Sequence, residues 1–262
     1  MEDEAKNPRP ISVALLVTCL VDLMRPNVGF AAVNLLQDAG CTVTVPRAQS
    51  CCGQPAYNSG DESSALAIGR QVIEVFESFD YVVVPSGSCG GMLREHYPRL
   101  FSADLEWVNR AYALAQKTYE LTEFLVDVIN YRGGNPHYSG LCTYHDSCAG
   151  LRELGVRAQP RQLLAGVVDL ELIEMKETDT CCGFGGAFSV KYPEISGRLA
   201  ANKVANADRT DADTLLGGDL GCLLNLAGRM RREGRSLKVF HVAEVLAGMA
   251  SGPSIGEPEA SA

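Results

Sequence analysis

The chain has 262 residues, 46% hydrophobic and 21% charged, enough apolar material for two cores of ordinary size. Its net charge of −9 comes without any Lys/Arg cluster, which weighs against nucleic-acid binding, since that needs a basic footprint. The acidic, polar opening MEDEAKNPRP is unlike a secretory signal. The longest apolar stretch, 11–23, is broken by Ser12, Thr18 and Asp22 and falls short of the roughly 20 residues of a membrane span. A cytoplasmic protein without membrane insertion is expected, its ten cysteines reduced and better read as metal ligands or redox groups than as staples.

Residues 1–10 and 251–262 are polar and proline-bearing and read as disordered tails. Between them, ISVALLV (11–17) is a continuous apolar run expected as a strand buried on both faces, with Cys19 just past its end. A helical pattern over 28–40 stops at Gly40, and CTVTVP (41–46) alternates as a second strand leading to Cys51-Cys52-Gly53. Residues 61–79 read as an amphipathic helix with Asp61 near its start, and YVVVP (81–85) as a third strand that delivers Cys89. A long helical stretch, 105–131, precedes a Gly133-Gly134 linker.

The plan then repeats. LCTYH (141–145) leads to Cys148, LELIEM (170–175) to Cys181-Cys182-Gly183, and TLLGG (214–218) to Cys222, while 241–249 resembles 121–129. Offsets between matching cysteines run from 129 (Cys19 to Cys148) through 130 for the adjacent pairs to 133 (Cys89 to Cys222). Strands alternating with helices predict an α/β chain of two duplicated, pseudo-twofold-related domains, 11–134 and 135–250. Each would have a small, mostly parallel sheet flanked by helices. Ligand sites in such sheets gather beyond the carboxyl ends of strands, where nearly every repeated cysteine falls.

Two quartets follow: Cys19, Cys51, Cys52 and Cys89, then Cys148, Cys181, Cys182 and Cys222. Four thiolates suit zinc or an iron–sulfur cluster. Structural zinc usually draws cysteines in C-x₂₋₄-C pairs, absent here, whereas adjacent cysteines can span two irons of a larger cluster. Thiol redox chemistry stays open. Gly53 and Gly183 allow a positive φ or close approach after each pair. His145, three residues before Cys148, is either a donor near the cofactor or a hydrogen-bonded structural residue, and Asp146 is read as a helix cap. Cys41 and Cys142 lie outside the repeat and are assigned to the core; His241 is read as structural or surface-exposed. No strand is followed by GxGxxG or GxxxxGK[ST], so no nucleotide site is expected.

Two copies of a Cys…CCG…C module resemble the cysteine-rich CCG domain shared by heterodisulfide reductase and the iron–sulfur component of glycolate oxidase. CCGQPAYNSG (51–60), YHDSC (144–148), DTCCGFGGAFSVKYPEISG (179–197), CLLN (222–225) and HVAEVL (241–246) closely resemble the lactate utilization protein A family over about residues 11–249. That resemblance implies an electron-transfer subunit with up to two iron–sulfur clusters, [4Fe–4S] in type. It would act with lactate utilization protein B- and C-like partners in oxidising L-lactate to pyruvate. A heterodisulfide reductase-like thiol–disulfide enzyme, a glycolate oxidase-type iron–sulfur component and a zinc-binding scaffold are the alternatives. The heterodisulfide module ends in CxxC, but here Met92 (CGGM) and Asn225 (CLLN) stand at the fifth cysteine's position, so heterodisulfide chemistry does not carry over directly.

Overall fold

The computed structural model describes residues 11–257, leaving the expected tail at 1–10 and the end of the other, 258–262, outside the described residues. Eight strands form two four-stranded sheets: β1 (Ser12–Leu15), β2 (Thr42–Thr44), β3 (Tyr81–Val84) and β4 (Thr118–Glu120), then β5 (His137–His145), β6 (Val168–Leu172), β7 (Thr214–Gly217) and β8 (Lys238–His241). The orders are β2-β1-β3-β4 and β6-β5-β7-β8, and every pairing is parallel. Parallel neighbours require crossovers, and helices supply them on both faces, which is why β1, β3 and β7 are almost wholly apolar.

Two expectations need correcting. The helix expected over 105–131 is two helices, Leu105–Gln116 and a second over 121–128, separated by β4. Three residues are too few to carry a period. β8, four residues of which only Val239 and Phe240 are apolar, went unseen too, and His241, which ends it, is fully buried. Within 251–257, Ser254 and Ile255 are buried and the Ile255 amide donates to the Val239 carbonyl, while the other five residues are exposed.

The halves hold each other. The helix opening at Leu121 and continuing to Val128 packs on Ala158–Leu164 of the second half, and reciprocally Val242–Leu246 packs on Pro26–Asp38 of the first. The largest apolar cluster accordingly mixes Leu15, Leu36 and Phe124 with Tyr144, Leu163 and Phe240. Arg25 donates to the buried Glu244 carboxylate at 2.9 Å and to the Pro253 carbonyl at 2.8 Å. Gly87 sits where the helices Gly87–Gly91 and Cys148–Arg152 meet; a Cβ there would fall 2.7 Å from Cα of Gly150, so glycine sets how closely the halves approach.

Candidate metal centres

The strand ends gather the cysteines. Cys19 opens the helix after β1, with Thr18 capping it by accepting from the Val21 amide; Cys89 lies in the helix after β3, with Ser86 accepting from the Cys89 amide. The Cys51-Cys52 loop follows β2, and the sulfurs come together: Cys19 to Cys51 at 3.7 Å, Cys52 to Cys89 at 3.2 Å. In the second half Ser147 caps the helix that Cys148 opens, and Cys181-Cys182 follow β6. Cys222 lies one turn into Leu220–Arg232 after β7.

Gly53 and Gly183 hold the paired cysteines' loop in the left-handed region, at φ 81° and 86°. That turn aims their amides at the preceding sulfurs: Gly53 N–H to Cys51 Sγ at 3.5 Å, Gly183 N–H to Cys181 Sγ at 3.3 Å. The Phe184 amide donates to Cys182 Sγ at 3.4 Å. Such N–H···S contacts favour the thiolate over the thiol.

Neighbouring thiols set one another's ionisation. Hydrogen bonds from Cys19 and Cys52 hold Cys51 down at about 2, while Cys19 and Cys52 are pushed up, chiefly by their bonds to Cys51. The second set repeats this: Cys181 falls to about 2 through Cys148 and Cys182, and both of those rise. Four sulfurs this close cannot all ionise in a low-dielectric pocket by themselves, because each new anion repels the last. A cationic centre removes that conflict. The donor set therefore fits a thiolate-ligated metal or cluster.

Around these similar quartets the walls differ. The glycine turn and the caps of the Cys19 and Cys148 helices match, and Leu16 in the first half stands where His145 stands in the second, three residues before Cys19 and Cys148 respectively. His145 is buried and one of its ring nitrogens lies within 4.8 Å of the sulfurs of Cys182 and Cys222. Burial and the Lys203 charge lower its pKa to about 3, so the imidazole is neutral. Gly53 faces the Ala65 carbonyl and Ile68, as Gly183 faces the Ser196 carbonyl and Leu199, which sets Lys203 opposite Val72. Lys203 is 1% exposed and donates to the carbonyls of Glu177 and Thr178 in the loop leading to Cys181. The first half answers with Tyr97, whose hydroxyl donates to the Cys52 carbonyl at 2.8 Å. Asn225 does the same for the Cys182 carbonyl at 2.9 Å.

The two sets meet across the interface. Asp219 and Ser86 occupy equivalent cap positions, yet Asp219 leaves its own helix uncapped. Its carboxylate accepts instead from the Ser86 hydroxyl at 3.0 Å and the Ser88 amide at 2.9 Å, at the turn that carries Cys89. A Cβ on Gly221 would strike the Phe184 ring and come 3.3 Å from Leu20, so those two apolar side chains fill the space between the first set's Cys19 helix and Cys222.

Sequence reasoning missed Lys203, Tyr97 and Asp219. A lysine at helical spacing among Ala200, Val204 and Ala207 was the available signal for Lys203. The Asp219 bridge joins residues 133 positions apart and left no trace in the pattern. Asp146 is not a cap: it forms a paired contact with Arg161 at 2.8 and 2.9 Å, and Ser147 caps instead. Cys41 and Cys142 lie in the shared core as expected.

The cysteine-rich CCG domain family matches residues 13–94 and again 142–227. The chain is 49% identical to lactate utilization protein A of Geobacillus sp. (strain WCH70) over 236 residues, covering 90% of this chain and 99% of that one. It is 46% identical to lactate utilization protein A of Oceanobacillus iheyensis, covering 90% and 96%. Among solved structures, a hypothetical protein from Helicobacter pylori superposes with a TM-score of 0.62 at 11% identity, over 92% of this chain and 49% of that one, a likeness of fold alone.

Proposed function

The chain belongs to the lactate utilization protein A family of duplicated cysteine-rich CCG proteins, and from that premise we propose that it is the iron–sulfur electron-transfer subunit of a cytoplasmic complex oxidising L-lactate to pyruvate. Residues 11–134 and 135–250 would each carry one centre, on Cys19, Cys51, Cys52 and Cys89 and on Cys148, Cys181, Cys182 and Cys222. The observation that carries this reading is the gathering of two thiol quartets at strand ends, each unable to ionise fully without a cation.

A cluster bound there, [4Fe–4S] by ligand count, would supply one-electron chemistry. The chain's own residues do the rest. The Gly53, Gly183 and Phe184 amides stabilise thiolate charge, and the core packing buries Cys52, Cys89, Cys182 and Cys222 while the other four cysteines stay partly exposed. The Asp219 bridge fixes one quartet's turn against the other, a favourable arrangement for passing an electron between them. Among the described residues no helix is long and apolar enough to cross a membrane, and partners resembling lactate utilization proteins B and C would bring electrons in or take them away.

Protein purified and reconstituted without oxygen should hold iron with matching acid-labile sulfide and give a cluster EPR signal on reduction. Stoichiometric zinc without sulfide would overturn the reading in favour of a scaffold. With the partner proteins added, lactate should bleach the cluster absorption; bleaching by glycolate alone would move the assignment to the other 2-hydroxy acid.

A further inference from the structure

Among the described residues, His145 is the one side chain with two buried polar atoms that lack any hydrogen-bond partner, Nδ1 and Nε2 alike. It is 1% exposed, at the end of the central strand of the second sheet. A structural histidine in such a place normally gives its N–H to a carbonyl or carboxylate. This one faces sulfur: a ring nitrogen and the sulfurs of Cys182 and Cys222 all lie within 4.8 Å of one another. No hydrogen bond links the ring to either sulfur, and a cation held among the three atoms would take up a ring nitrogen's lone pair and both sulfurs together. Leu16, its counterpart in the first half, is wholly buried and apolar, so the duplicated scaffold needs no polar group there for folding.

We propose that His145 coordinates a metal of the second centre through a ring nitrogen, beside Cys182 and Cys222. The two centres then differ in kind: four thiolates in the first half, and four thiolates joined by an imidazole as a fifth ligand in the second. This rests on the cluster reading above. Ligation is by the neutral ring's lone pair; the other nitrogen keeps its proton, and no proton or electron is exchanged. The imidazole adds no negative charge to the four thiolates, and the buried Lys203 ammonium beside the loop leading to Cys181 has the apolar Val72 as its counterpart in the first half, so the second centre should be the more easily reduced. Electrons entering the chain would collect there.

The test is pulsed EPR on holo-protein carrying ¹⁵N-labelled histidine, reduced chemically or by cryoreduction, with Cys51→Ser used to confine the signal to the second centre. A strongly coupled nitrogen should change from the ¹⁴N to the ¹⁵N pattern on labelling. It should persist in Cys51→Ser and vanish in His145→Gln. Labelled protein of native sequence answers without relying on any variant's folding: a reduced second centre with no histidine-derived coupling overturns the inference while leaving the clusters standing. Loading with zinc and no sulfide would instead overturn the proposed function. X-ray absorption at the zinc edge then decides His145 separately, a nitrogen in the shell upholding it and a sulfur-only shell sinking it. Protein that takes up neither metal overturns both.

Discussion

The two cysteine sets share their left-handed glycine and the amide contact it aims at the preceding sulfur, yet not one of the side chains that set the charge around them. The first is walled by Leu16, Val72, Met92 and Tyr97, all but free of charge; the second by His145, Lys203 and Asn225. Duplication has preserved what grips a centre and let go of what tunes it. Centres held by these two sets would lie in unlike surroundings and so differ in potential, as the proposed relay would need if the electron is to move in one direction.

The comparison breaks most completely at the ligands. Cys181→Ser should remove the second centre's iron and sulfide and leave the first centre's signal, and Cys51→Ser should do the reverse. Metal content with EPR checks both, and unchanged iron in either variant would undo that assignment.

The glycines test how far the halves are equivalent. Gly53→Ala meets the Ile68 side chain at 3.2 Å and the Ala65 carbonyl only at an ordinary 3.9 Å, and should cost about 1–2 kcal/mol for its positive φ. Gly183→Ala would place its Cβ against the Ser196 carbonyl oxygen, which is backbone and cannot swing aside. The added overpacking brings its cost to about 4 kcal/mol. Urea unfolding of the two variants compares them, and equal costs would show that the second loop relaxes freely.

Much of this was legible in the sequence because the duplication printed it twice. A constant cysteine offset and strands of unbroken apolar residues gave the quartets, their placement at strand ends and the α/β plan. Lost were the features that arise only between halves or within a few residues. β4 is too short for a pattern, β8 has only Val239 and Phe240 as apolar residues, the Asp219 bridge spans the interface, and the terminal helices trade partners across it. His145 was visible from its spacing, but its missing partners were not, since burial and orphaned nitrogens exist only in three dimensions.

β4 and β8 pose the comparison again in proton chemistry. Glu120 pairs with Val84 and His241 with Gly217 in equivalent registers, and each caps the helix that follows as half of a capping box. Burial raises Glu120 from 4.5 to about 7 and lowers His241 from 6.5 to about 4. The signs oppose. A raised carboxyl contributes stability that is full below pH 4.5 and lost as pH climbs to 7; a depressed histidine contributes stability that is full above 6.5 and lost as pH falls to 4. Each swing is about 3 kcal/mol, so between pH 4.5 and 6.5 the two should nearly cancel. Glu120→Gln should unmask a stability that rises with pH across that window, and His241→Asn one that falls. Urea midpoints at pH 4.5, 5.5 and 6.5 read the slopes, and parallel curves for the two variants would refute the cancellation.

The smallest effect is the most local. Tyr97 and Asn225 reach the carbonyls of Cys52 and Cys182 from different points on the helices that follow the fourth cysteines, one with a phenol and the other with an amide. Tyr97 lies just past a π-helical turn, Met92–His96, which the regular helix Leu220–Arg232 lacks. The same backbone oxygen is thus satisfied from two directions by helices of different winding, which points to a requirement on the carbonyl rather than on the helix. Tyr97→Phe leaves that buried acceptor empty at a cost of about 1 kcal/mol. If the hydrogen bond also holds the Cys51-Cys52 loop in place, the first centre of the Phe variant should lose iron to a chelator faster than wild type while the second loses it at the unchanged rate. Equal rates at both centres would leave Tyr97 a packing residue and nothing more.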